Sequence, residues 1–250
     1  MTTVSQAAGL PFEEAIRFFL GKVNVPTKRW TDLWHAQHVR AWSVAGAESE
    51  ALLNDIRKEI EKALEQGTTL EQFREAFAEI VRRHGWKHTG TVGRRARIIY
   101  QTNLSMAYSA GRYAQMTAPE TLLAFPIWEY RHSGAKHPRL DHLSWDGLCL
   151  AATDPFWRVA WPPNGWGCGC WVRPMTMREM RRTGRTAPDQ APQLETTMQP
   201  VGRAGVMRPV TTGIDPGFGY NVGEAWQPMQ VPPELLRLLP PAPPVPGGGG

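Results

Sequence analysis

The stretch WPPNGWGCGCWVRP, Trp161–Pro174, holds three Trp, three Gly, three Pro and two of the chain's three Cys. Pro162 and Pro163 fix φ, while Asn164-Gly165, Gly167 and Gly169 admit backbone conformations that a Cβ ordinarily resists. The tryptophans give this loop an apolar mass that loops normally lack. Its end, CGCWVRP, reads as a short strand closing at Pro174. The composition predicts a stiff, self-packed platform rather than a lid, followed by β structure.

Working outward, PIWEYRHS (Pro126–Ser133) has the aromatic, alternating character of a strand. Asp146-Gly147 is a hairpin-type turn signal, with GLCLAA after it as a short strand. Thr176 and Glu179 form a capping box that opens the helix MREMRRTG, stopped at Gly184. The first half follows the helical period instead. Helices are expected from Pro11 to Gly21, over Arg29–Val44, and over Glu48–Gln66 with Gly67 as its stop. Another runs from the capping pattern Thr68-Thr69-Leu70-Glu71 to Gly85, and a fifth spans about Gly93–Met116, with Pro119 ending the helical region. Ala107, Ala110, Gly111 and Ala114 leave that fifth helix open to close approach by another.

These signals predict an α+β fold in three parts. Residues 1–125 form a helical domain, 126–184 a β-rich, loop-heavy His/Cys/Trp module, and 185–250 an extended tail, either supported by a partner or disordered. The tail ends LLPPAPPVPGGGG, a composition that buries too little apolar surface to offset its ordering entropy. No internal repeat is visible.

Composition narrows the function classes. With 250 residues, 42% hydrophobic and 20% charged, the chain can build a sizeable core. No run approaches the ~18 apolar residues that a membrane span needs. The N-terminus MTTVSQAAGLPFEEAIRFFLGK has no basic segment followed by an apolar block, so no export signal is read. The expectation is a protein that stays in the cytoplasm or enters an assembly there. An odd Cys count in such a chain argues against a disulfide framework. The net charge of +5 and pI of about 9.3 are mildly basic. Arg94, Arg95 and Arg97 at the start of the fifth helix are the candidate nucleic-acid contacts, or else solvated first-turn residues.

Residues 128–171 gather His132, His137, His142, Cys149, Cys168 and Cys170, which raises the question of zinc. His142, Cys168 and Cys170 supply three ligands, and His137 or Cys149 completes a tetrahedron. The candidate structural metal site is therefore His137, His142, Cys168 and Cys170. Cys168 and Cys170 are separated by one residue, unlike a Cys-x-x-Cys knuckle. On a strand they would point the same way, roughly 6.5 Å apart at Cα. A disulfide between them closes too small a ring. Without metal they are two small thiols flanking a glycine. A further alternative is a general acid–base set of His137, His142 and Asp141 beside Lys136 and Arg139.

The combination RHSGAKHPRLDHLSWDGLCL…DPFWRVAWPPNGWGCGCWVRP resembles the phage Mu F-like minor head proteins, within the phage head morphogenesis group. The resemblance runs over about residues 10–225, through TLEQFREAFAEIVRRHGW, IIYQTNLSMAYSAGRYAQM and the late GIDPGFGYN. His137, His142, Asp146, Gly147, the Pro162–Gly165 run, Cys168 and Cys170 match the family pattern. Gly169 departs from it, because relatives often carry Arg between the two Cys, and any phosphate contact by that Arg would be lost here. The resemblance implies a virion protein present in few copies near the portal, active in capsid morphogenesis or DNA packaging. It implies portal, major capsid or scaffold proteins as partners, with phage DNA as a candidate contact and no membrane. Some relatives carry a toxin or nuclease domain after this module, for which the Pro/Gly tail leaves no room.

The leading expectation is thus a non-enzymatic structural head component with no catalytic residues, zinc being the one candidate cofactor. It would reside in the virion, and in the host cytoplasm during assembly. The alternative from another class is a metal-dependent hydrolase or nuclease using His137, His142 and the Cys168/Cys170 pair. A third is a DNA-binding module that uses the three arginines.

Overall fold

In the computed structural model, which describes residues 12–229, the first half of the chain is helical where apolar residues recur at helical spacing. Helix α1 (Glu13–Leu20) leads into strand β1 (Val23–Asn24), a 3-10 turn (Trp30–Asp32), the one-turn helix α2 (Gln37–Arg40) and strand β2 (Ala41–Trp42). The longer helices α3 (Glu50–Gln66), α4 (Leu70–Arg83) and α5 (Val92–Met116) follow. The chain divides into two compact units. Of the described residues, the first holds 12–112 with 201–205 and 222–227, and the second holds the remainder. No helix among the described residues is long and apolar enough to cross a membrane.

In the first unit, α3 buries Leu52, Leu53, Ile56, Ile60 and Leu64, and α4 buries Phe73, Phe77 and Ile80. Gly67 ends α3 at φ 71°, a left-handed conformation that costs glycine little. A capping box opens α4 one residue later than the Thr68–Glu71 pattern: Thr69 is the cap, its side chain accepting from Gln72 N and its own amide donating to the Gln72 side chain. Within the small-residue stripe of α5, Gly111 is closely approached. A Cβ on Gly111 would lie 2.8 Å from the Ala15 backbone nitrogen and from the Phe12 ring, so only glycine admits α1 this closely.

The helix expected over residues 29–44 does not form. His35 takes φ 46°, which breaks any helix through it, and only two short turns remain on either side. The aromatic spacing has another cause: Trp42 lies on β2, is 1% exposed, meets Phe19 edge-on at 5.2 Å and donates to the Leu53 carbonyl. Strands β1 and β2 pair in parallel.

The second unit is built on strands β3 (Ile127–Arg131), β4 (Cys149–Ala151) and β5 (Trp171–Met175). They form an antiparallel sheet with β3 in the centre and Trp128 opposite both Leu150 and Pro174. Pro119 does not end the helical region but begins helix α6 (Pro119–Ala124), where its missing N–H costs nothing. Asp146-Gly147 is not a strand-to-strand hairpin. It joins the short helix α7 (Leu140–Ser144) to β4, with Gly147 at φ 80°. The strand expected from Cys168 starts only at Trp171, so both cysteines lie in the loop before it. A second short helix, α8 (Phe156–Ala160), precedes the tryptophan-rich loop, and α9 (Met177–Arg182) begins at the expected Thr176 cap.

Residues 185–250 were expected to be extended. The described part instead holds strands β6 (Thr196–Val201) and β7 (Val206–Thr211), which pair as a two-stranded sheet, and helix α10 (Val222–Trp226). Within the first unit, Trp226 of α10 meets Phe18 edge-on at 5.5 Å. The final proline/glycine run lies outside the described residues, as does Pro11.

Candidate metal centre

Tryptophan packing sets the position of the loop before it sets any chemistry. Trp128 on β3, Trp157 on α8 and Trp161 at the loop entrance have ring centroids 5.1–6.1 Å apart, and Tyr113 meets both Trp128 and Trp161 edge-on. Trp128 and Trp161 are among the largest fully buried side chains. Such a cluster contributes area burial plus ~0.5–1.5 kcal/mol per aromatic pair. Asn164 follows it, 0% exposed, donating to the Tyr130 hydroxyl at 3.1 Å and to the Ala160 carbonyl at 3.0 Å. Of the loop's residues only Gly167 takes positive φ, at 68°. Gly165 is required for space rather than for dihedral freedom.

The segment GIDPGFGYN, residues 213–221, closes over this loop. Asp215 donates its backbone N–H to the Asn164 carbonyl at 2.9 Å, and its Oδ2 accepts from Trp166 N at 2.8 Å and Arg139 Nη2 at 2.7 Å. Phe218 packs edge-on against Trp166, while Asn221 donates to the Trp157 carbonyl at 3.0 Å. Sequence reasoning named this segment as family pattern and missed its role. Its signal was the run Asp-Pro-Gly, a turn whose carboxylate is available to neighbouring amides.

His142, on α7, is 2% exposed and stacks on Trp145. Its Nε2 lies 2.7 Å from the Gly213 carbonyl oxygen. A carbonyl only accepts, so Nε2 carries a proton, and in the neutral ring Nδ1 is then a lone pair. That Nδ1 lies 3.7 Å from the Sγ of Cys168 and 3.7 Å from the Sγ of Cys170. The three donor atoms all lie within 4.8 Å of one another. Cys168 is buried and Cys170 partly so.

The two sulfurs differ in character. The hydrogen bond from Cys168 holds the Cys170 thiol well below its ordinary range. The same bond, followed by burial, pushes Cys168 upward.

Two expected participants are elsewhere. His137 is exposed and outside the cluster, so of the four predicted ligands the structure brings together His142, Cys168 and Cys170. Cys149, the other candidate for the fourth place, contacts Met175 Sδ at 3.8 Å in an apolar cluster with Ile127 and Met180, where burial pushes its thiol up to about 11. The proposed acid–base set of His137, His142 and Asp141 is split by burial, since Asp141 is exposed and His142 is not.

Of the three candidate arginines, Arg94 and Arg97 are exposed. Arg95 instead lies over the Trp86 ring, 5.6 Å from its centroid, and donates to the Ala45 carbonyl. The arginine run therefore supplies two surface cations and one internal tie.

The segment that carries α3 through β5, residues 54–173, matches the family described as Phage Mu protein F like protein. The chain is Mu F-like. The "Putative capsid assembly protein F" of Escherichia phage Mu is 32% identical over 195 residues, covering 72% of this chain and 44% of that protein. The Mu-like prophage FluMu F protein of Haemophilus influenzae is 29% identical over 222 residues, covering 80% of this chain and 53% of that protein. This Mu F-like chain thus spans about half the length of these curated relatives. No solved structure matches it. The family match includes His142, Cys168 and Cys170 and stops before the 213–221 clasp.

Proposed function

We propose that this chain is a structural, non-enzymatic component of a tailed-phage head that acts in capsid assembly, as a minor head protein beside the portal. The observation that carries the reading is the 32% identity over 195 residues with the capsid assembly protein of phage Mu, which takes in most of this chain. The site supports it. The ring of His142 is 2% exposed, with Nε2 held by the Gly213 carbonyl and Nδ1 turned toward the two cysteine sulfurs, so the imidazole faces the protein interior. The loop is held by buried hydrogen bonds at Asn164 and by the Asp215 carboxylate at Trp166, and is wrapped in aromatic rings, as a rigid docking element requires.

In this reading the partners are the portal and the major capsid or scaffold proteins. Exposed Arg94 and Arg97 stand toward packaged DNA, and the protein travels from the host cytoplasm into the virion. The experiment is to delete its gene from the phage that encodes it and supply the chain in trans. Heads should be lost or aberrant without it and restored with it, and the chain should be recovered in purified heads. Normal infectious heads in its absence would refute the proposal. So would purified chain that cleaves DNA or RNA with a divalent metal and loses that activity on His142→Ala.

A further inference from the structure

The geometry points to a zinc site formed by His142 Nδ1, Cys168 Sγ and Cys170 Sγ, with a water molecule as the fourth ligand. Tetrahedral zinc with Zn–S of ~2.3 Å and Zn–N of ~2.05 Å sets its sulfur and nitrogen ligands roughly 3.6 Å apart. Both sulfurs lie 3.7 Å from Nδ1, and the three donor atoms all lie within 4.8 Å of one another, so both sulfur-to-nitrogen spacings match those around a single ion. The donor chemistry is that of zinc: two thiolates and an imidazole, soft to borderline, in a buried pocket.

The surroundings meet the other requirements of a metal site. A ligating histidine needs its second nitrogen fixed by an acceptor, and Gly213 supplies one at 2.7 Å, aiming the Nδ1 lone pair at the sulfurs. Gly213 cannot be replaced without moving the site. A Cβ there would lie 2.8 Å from the Asp141 Cβ and 2.9 Å from the Trp145 ring, and its φ is 78°. No fourth His, Cys, Asp or Glu among the described residues joins the group, which leaves the last position to solvent. The ion would fasten the loop before β5 to α7. Two segments that meet mainly through hydrogen bonds and ring contacts would then be cross-linked.

This inference is independent of the capsid reading, and its test uses the purified full chain. Prepared under reducing conditions with zinc present and then dialysed, the protein should contain about one zinc per chain by plasma mass spectrometry. Cys168 and Cys170 should react with a thiol reagent only after a chelator is added, whereas Cys149, 0% exposed, should stay protected in both states. Cobalt(II) added to the stripped protein should give intense tetrahedral d–d bands and thiolate-to-cobalt charge transfer. Cys170→Ser and His142→Ala should lower the zinc content at least tenfold, whereas Cys149→Ser and His137→Ala should retain it.

The wild-type stoichiometry and the cobalt spectrum do not depend on how any variant folds. Wild-type protein without zinc after loading, or cobalt bands lacking the thiolate transition, would overturn the assignment. Loss of zinc on Cys149→Ser or His137→Ala with retention on His142→Ala would overturn it equally.

Discussion

Gly165 and Asp215 approach so closely that a Cβ on the glycine would lie 2.3 Å from the Asp215 Oδ2. The carboxylate is held there by Trp166 N and Arg139, so it cannot retreat without losing charge-assisted hydrogen bonds. Gly165→Ala is therefore expected to destabilise the protein by about 1–3 kcal/mol, as overpacking commonly does. Thermal unfolding followed by circular dichroism checks it, and an unchanged Tm would show that the loop yields.

Asp215→Ala removes the opposite side of the same contact and leaves Trp166 N and Arg139 without this acceptor. A loss of about 1–3 kcal/mol is expected. The double variant Gly165→Ala/Asp215→Ala should be less destabilised than the sum of the two, because the second change removes the clash created by the first. Strict additivity in a double-mutant cycle would contradict the contact.

Much of the helical half was legible because its periods are long. Leu52 to Leu64 repeats over enough turns to identify α3, and the run Thr68-Thr69-Leu70-Glu71 marks the start of α4 to within one residue. The region around Trp30 to Trp42 misled because tryptophan spacing reports burial, not dihedrals, and the break at His35 leaves no mark on a residue pattern. Helices α7 and α8 have five residues each, too few for a period. In the site, Cys168 and Cys170 were legible as a pair and His142 as their partner. His137 stood with Cys149 as a candidate for the fourth place, because the exposure of one and the apolar burial of the other depend on contacts far along the chain. The roles of Gly213 and Asp215 lie beyond any local signal.

Lys22 offers a pH test. Burial, with Arg57 nearby, brings its amine down from 10.5 to about 7. Between those two values the unfolded chain binds more protons than the folded one, so this group makes stability rise with pH over that window. Below about 7 the charged amine is buried at full cost, on the order of a few kcal/mol. Lys22→Met should flatten the rise in denaturation midpoint between pH 7 and pH 10. A variant with the same slope as wild type would show that the amine is solvated.

The arginines at the start of α5 should separate by function. Arg95→Gln is expected to lower stability by about 1–3 kcal/mol, since it removes the contact with Trp86 and the bond to Ala45. Arg94→Gln/Arg97→Gln should leave the melting temperature within about 1 °C while lowering the salt slope of duplex DNA binding by about two. DNA affinity unaffected by that pair would remove them from the nucleic-acid face.

The hydrogen bond from His142 to Gly213 spans 71 residues of chain. During synthesis both cysteines and the imidazole therefore leave the ribosome well before the carbonyl that orients them. Until that later segment arrives, the ring can turn either nitrogen toward the sulfurs, so the donor set is complete in composition before it is fixed in direction. Order of emergence thus keeps this corner of the fold from taking its final shape until residue 213 has been made.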